Sequence, residues 1–598
     1  MSEAKSFSAG AMAGRIAIAL AQGFLLWWLY DAVTQDRWPE DQRGWLVGLI
    51  AAGTLVPLVR YLICDLAPAA RQWPLLAGLA LLTLGLGWHH GAWTADEPYQ
   101  FPSFALALFV LVFHAMPFAQ SALVHDTPRP RYEVLFHFAW RNALLGSLGA
   151  LFTGVFWLML MLWGELFRML GIEFFSDLFD SSAFAIPATA VVVGIGVQLA
   201  GSVERLQGAL RQQLLALLKW LAPLAAFILA LFTVALIAKS PELFAEQRRA
   251  ISAVWLLWLV ALTVALLNAA YQDGSDEEPY PRWLGTAIRY AGMLLLPVAL
   301  LAVYALVVRI GTYGLTPSRG WGLLVALVAL GYAGGYAWAA ARRGAWMEGM
   351  GAVNVSIALF TIVAMTLMLT PLLSPERLAA ASQYERVLAD PDVDAYADLR
   401  FRTGRYGRER LAELASIEGH ARSADIRARA EMEIGKKLPW GGPAATGELT
   451  AAQLRVFPAT SRPDPALVAV LDTARDRHVL VTCTEEEPCP LLYADLNRDG
   501  APEAILFATH GTVGATRDGE GWRVLDRLVH TGASVSHNDR ETIIKALEGG
   551  EYRVGELPWQ PIEINGELYM LADSPPEKPC DEGAEGVSPD PASDPEGP

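Results

Sequence analysis

Apolar runs of roughly twenty residues recur along the first two thirds of the sequence, and a helix of that length crosses a hydrocarbon core of ~30 Å. Inside a bilayer every backbone N–H and C=O must be bonded within the protein, so such runs leave little choice but a helix bundle. Approximate spans fall at 13–31, 45–64, 72–93, 101–122, 142–167, 183–201, 215–238, 250–271, 284–308, 320–341 and 351–373. The first run, Ala11 to Tyr30, is followed by further spans and reads as an anchor rather than a cleavable signal. The expected architecture is a polytopic α-helical membrane domain over residues 1–373, with about eleven transmembrane helices, followed by a C-terminal extramembrane α+β domain.

Composition agrees. The chain is 53% hydrophobic with a mean hydropathy of +0.31, high for a soluble protein. Up to Leu373, Lys+Arg and Asp+Glu balance at 22 each, so the whole net charge of −16 belongs to the remainder. An acidic water-facing part on a neutral membrane part argues against nucleic acid as a partner, because phosphate binding needs clustered basic surface. Membrane lipids and envelope proteins are the expected partners.

Basic residues resist translocation, so their loop bias sets orientation. With the N-terminus inside, fourteen of the 22, among them Arg15, Arg60, Arg141, Arg211, Arg289 and Arg342, fall on inside segments. Lys239, Arg248 and Arg249 in one outside loop run against that bias. An odd number of spans then puts the C-terminal part in the periplasm of a bacterial inner (plasma) membrane.

Beyond the last span, 374–440 has apolar and small residues at helical spacing, as in "RERLAELASIEGHARSADIRARAEMEIGKKL", and is expected to be a helical extramembrane segment. "PWGGPAATGELT" reads as a hinge. Residues 441–574 carry short runs such as "CPLLYA", "EAILFAT" and "WRVLDRLV" between Gly, Asp and Asn turns, the pattern of a small α+β domain. The tail, 575–598, is rich in Pro, Asp and Glu and is expected to be disordered. "TCTEEEPC" places Cys483 and Cys489 in one short loop, a spacing that a disulfide closes in an oxidising compartment.

Between two of these runs stands "DLNRDGAPE". Asp495, Asn497, Asp499 and Glu503 supply oxygens at positions one, three, five and nine, and Gly500 at six permits a sharp turn. Position twelve, where an EF-hand has a bidentate Glu, is Leu506. The loop resembles the calcium loops of FG-GAP-type repeats, and the resemblance implies a structural calcium ion. A metal-free Asx turn is the alternative.

Ionisable residues are sparse within the spans, which argues against proton-coupled or charged-solute transport. Arg141 and Asn142 at one end of a span and Glu165 at the other are candidates for a polar site, as are His114, Asn268 and Asn354 nearer mid-span, each with an interhelical hydrogen bond as the plainer role. His89 and His90 stand beside Trp88 and Trp93 at an interface; adjacent histidines on a helix point apart, which disfavours a shared metal. "SVERLQGALRQQLLALLKW" either lies along the membrane surface or extends the next span.

The stretch Tyr132 to Phe179, with its aromatic–Arg–Asn start and "GIEFFSDLF" end, and "FRTGRYGRERLAEL" further on, resemble a bacterial multi-pass inner-membrane family defined by a domain of unknown function, the 4153 type. That resemblance implies no activity. Neither a nucleotide loop nor G-x-S-x-G nor H-E-x-x-H occurs, which removes the reason to expect an enzyme. A permease-like role for a neutral or amphipathic compound is the leading expectation. The alternatives are a membrane platform whose periplasmic domain acts in envelope assembly or sensing, and a membrane-embedded transferase.

Overall fold

The structure is a computed structural model that describes residues 9–35, 37–39, 42–94, 100–125, 131–202, 204–245, 252–274, 279–342, 346–436, 449–458, 461–478, 488–496, 500–508, 511–518, 521–525, 545, 547–549, 562–564 and 567–569. The chain divides into two compact units, Met1–Ile434 and Gly435–Pro598.

The first unit opens with α1 (Ala9–Thr34), α2 (Arg43–Ile63), α3 (Ala69–His89), α4 (Gln100–Val124) and α5 (Tyr132–Arg168). A short helix, α6 (Phe174–Asp180), precedes α7 (Ser182–Ser202), α8 (Glu204–Ala245) and α9 (Ala253–Tyr271). Then come α10 (Arg282–Met293), α11 (Leu295–Tyr313), α12 (Pro317–Ala341) and α13 (Trp346–Met368). Among the described residues, 11 helical segments are long and apolar enough to cross a bilayer, α10 and α11 counting as one. The protein is therefore a multi-pass membrane protein.

Two segments refine the sequence reading. The run around residues 284–308 is broken at Leu294. Pro297 lacks the N–H that would bond the Met293 carbonyl four residues back, so the ladder is interrupted just where α10 ends. Of the basic segment from Ser202 to Trp220, Ser202 ends α7 and residues 204–220 run on as part of α8, which is 42 residues long, rather than lying apart from the span.

The bundle is apolar on its outside, as lipid contact requires: Leu158 of α5 is 67% exposed and Leu217 of α8 is 68% exposed. Inside, α8, α9, α11 and α12 meet through Leu229, Val260, Val298 and the small residues Ala270, Ala299, Ala302 and Ala333. Hydrocarbon is as apolar as leucine, so no hydrophobic gain drives these helices together; small side chains let them approach closely and pack by dispersion.

After α13, Ser374 accepts the Arg377 amide and Pro375 takes the first helical position, a favourable start for α14 (Pro375–Ala389). The helices α15 (Tyr396–Phe401), α16 (Gly404–Ala415) and α17 (Ser423–Gly435) complete the predicted helical segment. It packs onto one end of the bundle. Gln383 donates to the Leu315 carbonyl at 2.8 Å, and Arg386 bonds the Tyr313 carbonyl, satisfying backbone oxygens at and just beyond the C-terminus of α11. Gly404 adopts φ +61°, and a Cβ there would stand 2.5 Å from the Trp93 carbonyl oxygen, so only glycine fits this approach. Around it, Trp93 stacks on Tyr406 at 4.9 Å and Arg405 lies over the Trp93 ring at 4.5 Å. Away from the bundle, the Arg422 guanidinium, 2.8 Å from Asp392, holds that carboxyl below the usual carboxylate range.

The second unit is α+β. Its strands β1 (Leu454–Phe457), β2 (Cys489–Ala494), β3 (Glu503–Ala508), β4 (Gly511–Asp518) and β5 (Gly521–Leu525) form one sheet in that order. The helix α18 (Pro465–His478) links β1 to β2, which run parallel as such a crossover demands; the rest is an antiparallel meander. Leu467 and Leu471 of α18 pack on Leu491, Ala504 and Leu506 from alternate positions of the strands. A separate hairpin pairs β6 (Ile562–Ile564) with β7 (Glu567–Tyr569). Most of the proposed hinge, residues 439–448 of 439–450, and the acidic tail lie outside the described residues.

Candidate functional site

The membrane bundle contains a cleft of about 230 Å³ between α4, α5, α9, α12 and α13. Its aromatic walls are Phe113 and Phe118 of α4, Phe136 and Trp140 of α5 and Tyr332 of α12. On α5 the lining positions Tyr132, Leu135, Phe136, Ala139 and Trp140 recur at three- and four-residue spacing, which is one face of a helix. Beside the Tyr332 hydroxyl and the Trp140 indole N–H, the polar groups are Tyr132, His114, Asn268 and Asn354. No Asp, Glu, Lys or Arg lines the cleft among the described residues.

Beneath it lies a neutral hydrogen-bond cluster. Asn354 donates one amide proton to the Tyr132 oxygen at 2.8 Å and the other to the Asn268 oxygen at 2.7 Å. The hydroxyl of Tyr336, a wholly buried side chain, donates to the Asn354 oxygen at 2.7 Å, with the Asn268 oxygen at 3.0 Å as its alternative acceptor. Asn268 in turn donates to the Val264 carbonyl at 3.0 Å. The Tyr132 hydroxyl proton has the Asn268 oxygen only at 3.4 Å, so it is a weakly committed donor at the cleft. His114 bonds the Val110 carbonyl through Nδ1 at 2.8 Å. A carbonyl can only accept, so Nδ1 carries the proton and Nε2 is left as an acceptor. The lining thus offers the Tyr132 hydroxyl and the His114 Nε2 acceptor, together with the Tyr332 hydroxyl and the Trp140 indole N–H, among aromatic faces.

The structure separates the other predicted polar residues. Asn142 forms a reciprocal amide pair with Gln120 at 2.8 and 2.9 Å, buried between α5 and α4. Arg141 donates to the Leu62 carbonyl at 3.2 Å at the end of α2. Glu165, near the far end of the 37-residue α5, is paired with Arg168 at 3.0 Å, both side chains being more than half exposed. Of the six candidates, His114, Asn268 and Asn354 share the cleft. Asn268 stands three residues from the end of α9, nearer the membrane boundary than its expected mid-span position.

Sequence reading missed Tyr132, Tyr332 and Tyr336 as members of this site, because tyrosines near span ends read as interfacial anchors. It also missed the work of the histidine pair. His89 donates from Nδ1 to the Leu369 carbonyl at 2.9 Å, leaving Nε2 to accept from the Tyr406 hydroxyl at 3.0 Å. Burial pushes the Tyr406 hydroxyl up, which keeps it protonated as that donor. His90 stacks on Phe104 at 4.2 Å in the π-helical turn His90–Thr94 that ends the α3 span. The two rings point apart and hold separate partners.

In the second unit, Glu503 pairs with Ala494 across β2 and β3 and accepts the Leu496 amide at 2.7 Å. Asp495 accepts the Gly500 amide at 3.1 Å through one oxygen, while its other oxygen is buried without a hydrogen-bond partner among the described residues. Gly500 has φ +88°, the left-handed turn expected at position six of the loop. Asn497 and Asp499 lie outside the described residues, and among the described residues no three of His, Cys, Asp and Glu gather as a metal site. Cys489 is disulfide-bonded, and its expected partner Cys483 lies outside the described residues.

No curated protein and no solved structure matches the chain. A family model does: it covers residues 38–402, from just before α2 to the end of α15, and so takes in every wall of the cleft together with Arg141 and Glu165. The protein belongs to the family described as a domain of unknown function (DUF4153).

Proposed function

We propose that this protein binds and moves a small neutral or amphipathic compound through its membrane bundle, with the cleft at Tyr132 and Asn354 as the binding site. The observation that carries this reading is the lining: aromatic faces, a few neutral polar groups including the weakly committed Tyr132 hydroxyl and the His114 imidazole, and no carboxylate, lysine or arginine among the described residues. Sites for small molecules are mostly apolar with a few placed polar groups, and this cleft has that character. A charged solute would find no counter-ion here. The same lining favours binding over group transfer, so the transferase alternative ranks below.

The platform alternative draws on a different feature, the separate α+β unit with its own core. In it the bundle anchors that unit at the outer face of a bacterial inner membrane for partners in envelope assembly. The N-terminus lies in the cytoplasm in both readings.

The test is extraction of the full-length protein in native lipid, followed by mass spectrometry of the small molecules released on denaturation. Ala139→Trp fills the cleft from a lining position that makes none of the cluster's hydrogen bonds. A neutral compound present with the wild type and depleted with Ala139→Trp is expected; identical profiles from the two proteins would remove the cleft as a binding site.

A further inference from the structure

On the other side of α5 lies a second pocket, of about 260 Å³, between α5 and α8. We infer that it holds the phosphate headgroup of an anionic phospholipid, its acyl chains lying along the exposed apolar stripes of the two helices. The pocket is lined by His137, Arg141 and Leu144 of α5 and by Gln207, Gly208 and Arg211 of α8, with no carboxylate among the described residues. Its chemistry is the opposite of the neutral cleft.

Arg211 donates from Nη1 to His137 Nδ1 at 3.1 Å. With Nδ1 accepting, the imidazole proton sits on Nε2, which turns the ring into a further donor. Arg141 is anchored by its bond to the Leu62 carbonyl, and Gln207 by its bond to the Ala200 carbonyl at 2.6 Å. Two arginines and a histidine therefore line a space large enough for a phosphate group. Guanidinium forks match phosphate oxygens in pairs, and basic pockets between transmembrane helices at an anionic leaflet select such headgroups.

The setting favours a lipid over a free ion. Along α5 the positions His137, Arg141 and Leu144 continue at helical spacing into the exposed Leu151, Val155 and Leu158. Along α8, Arg211 continues into the exposed Leu214, Leu217 and Leu221. A headgroup seated between the arginines would have an apolar ridge on either side for its chains, which a soluble phosphate would not use.

The experiment is native mass spectrometry of the full-length protein in a neutral detergent with phosphatidylglycerol or phosphatidylcholine, alone and with inorganic phosphate. The wild type should retain phosphatidylglycerol in preference. Arg211→Gln should lower that preference about fivefold, the worth of one basic residue at an anionic surface. His137→Gln should lower it less, Arg211→Lys should keep most of it, and Arg168→Gln at the far end of α5 should leave it unchanged. Equal retention of the two lipids, or a preference that survives both Arg211→Gln and His137→Gln, would overturn the assignment. Displacement of the lipid by millimolar inorganic phosphate would overturn it too, in favour of a soluble anion.

Discussion

Tyr336 and Asn354 are joined by a 2.7 Å hydrogen bond between α12 and α13, and through Asn354 the bond extends to Tyr132 of α5 and Asn268 of α9. Two helices distant in sequence, α5 and α9, thus join the consecutive α12 and α13 in one neutral polar knot immediately under the cleft. Each member is satisfied by another, which is what makes a polar group tolerable in hydrocarbon.

The first prediction concerns that knot. Asn354→Leu removes the acceptor of the buried Tyr336 hydroxyl and the donor to Tyr132, leaving both with weaker partners. Interhelical hydrogen bonds in membranes contribute about 0.6 kcal/mol on average and up to ~1.7, so a cost of roughly 1–2 kcal/mol is expected for a residue that makes three of them. Thermal unfolding in detergent measures it. An unchanged melting temperature would mean the knot contributes nothing to stability.

The Asn142–Gln120 pair gives a sharper comparison. Asn142→Leu alone strands the buried Gln120 amide, at a cost of about 1–3 kcal/mol for an unsatisfied group. The double substitution Asn142→Leu with Gln120→Leu should recover most of that loss, since neither partner is then left unpaired. A double variant as unstable as the single would assign the loss to packing instead.

How much of this was legible in the sequence follows from range. The spans were legible because twenty apolar residues in a row are a local signal, and the helices α14 to α17 because their spacing is local too. The break at Leu294 had a local signal in Pro297, yet Pro57, Pro74, Pro117 and Pro187 sit inside unbroken helices, so proline alone does not decide. The bond from His89 to Tyr406 joins residues 317 positions apart, and nothing near either one announces it. The cleft was half legible: asparagines in apolar runs stand out, whereas Tyr132 and Tyr336 look like ordinary belt residues. Glu165 stood out for its charge and proves to be a surface ion pair with Arg168.

Gly404 offers a test of the docking of the helical segment onto the bundle. Gly404→Ala adds both left-handed strain, about 1–2 kcal/mol, and a clash with the Trp93 carbonyl. Gly419→Ala carries similar strain at φ +79° but meets open space. Limited proteolysis between residues 375 and 434 should therefore accelerate strongly for Gly404→Ala and only slightly for Gly419→Ala. Equal acceleration would show that strain alone, and not the fit against α3, governs this segment.

A Cys483–Cys489 bond and a periplasmic C-terminal unit are proposed together, since an oxidising compartment is what sustains such a bond. Alkylation of freshly extracted protein should leave both cysteines unlabelled until reduction, and a fusion after Leu373 should be active only for an exported reporter. The loop is short, so removing the bond should cost roughly 2–3 kcal/mol at most. Free thiols at both positions, or a fluorescent cytosolic reporter at that junction, would reverse the orientation.

The Asp-rich loop is proposed to hold a structural calcium ion. Asp495 has one buried oxygen without a partner among the described residues, Gly500 turns the chain as the loop requires, and Glu503 already closes it by accepting the Leu496 amide. Asn497 and Asp499 would supply the remaining side-chain oxygens. Three carboxylates and one amide make a modest ligand set, so affinity should fall in the ~10⁻⁴–10⁻³ M range of extracellular modules, which suits an ion that stiffens the turn between β2 and β3. Calcium titration of the full-length protein should protect the amides of β2 and β3 from hydrogen exchange, while Asp495→Ala should abolish the protection and leave the exchange of α14 to α17 unaltered. If several millimolar calcium changes nothing in the wild type, the loop is a metal-free turn, with Gly500 and the Asp495 carboxylate shaping it unaided.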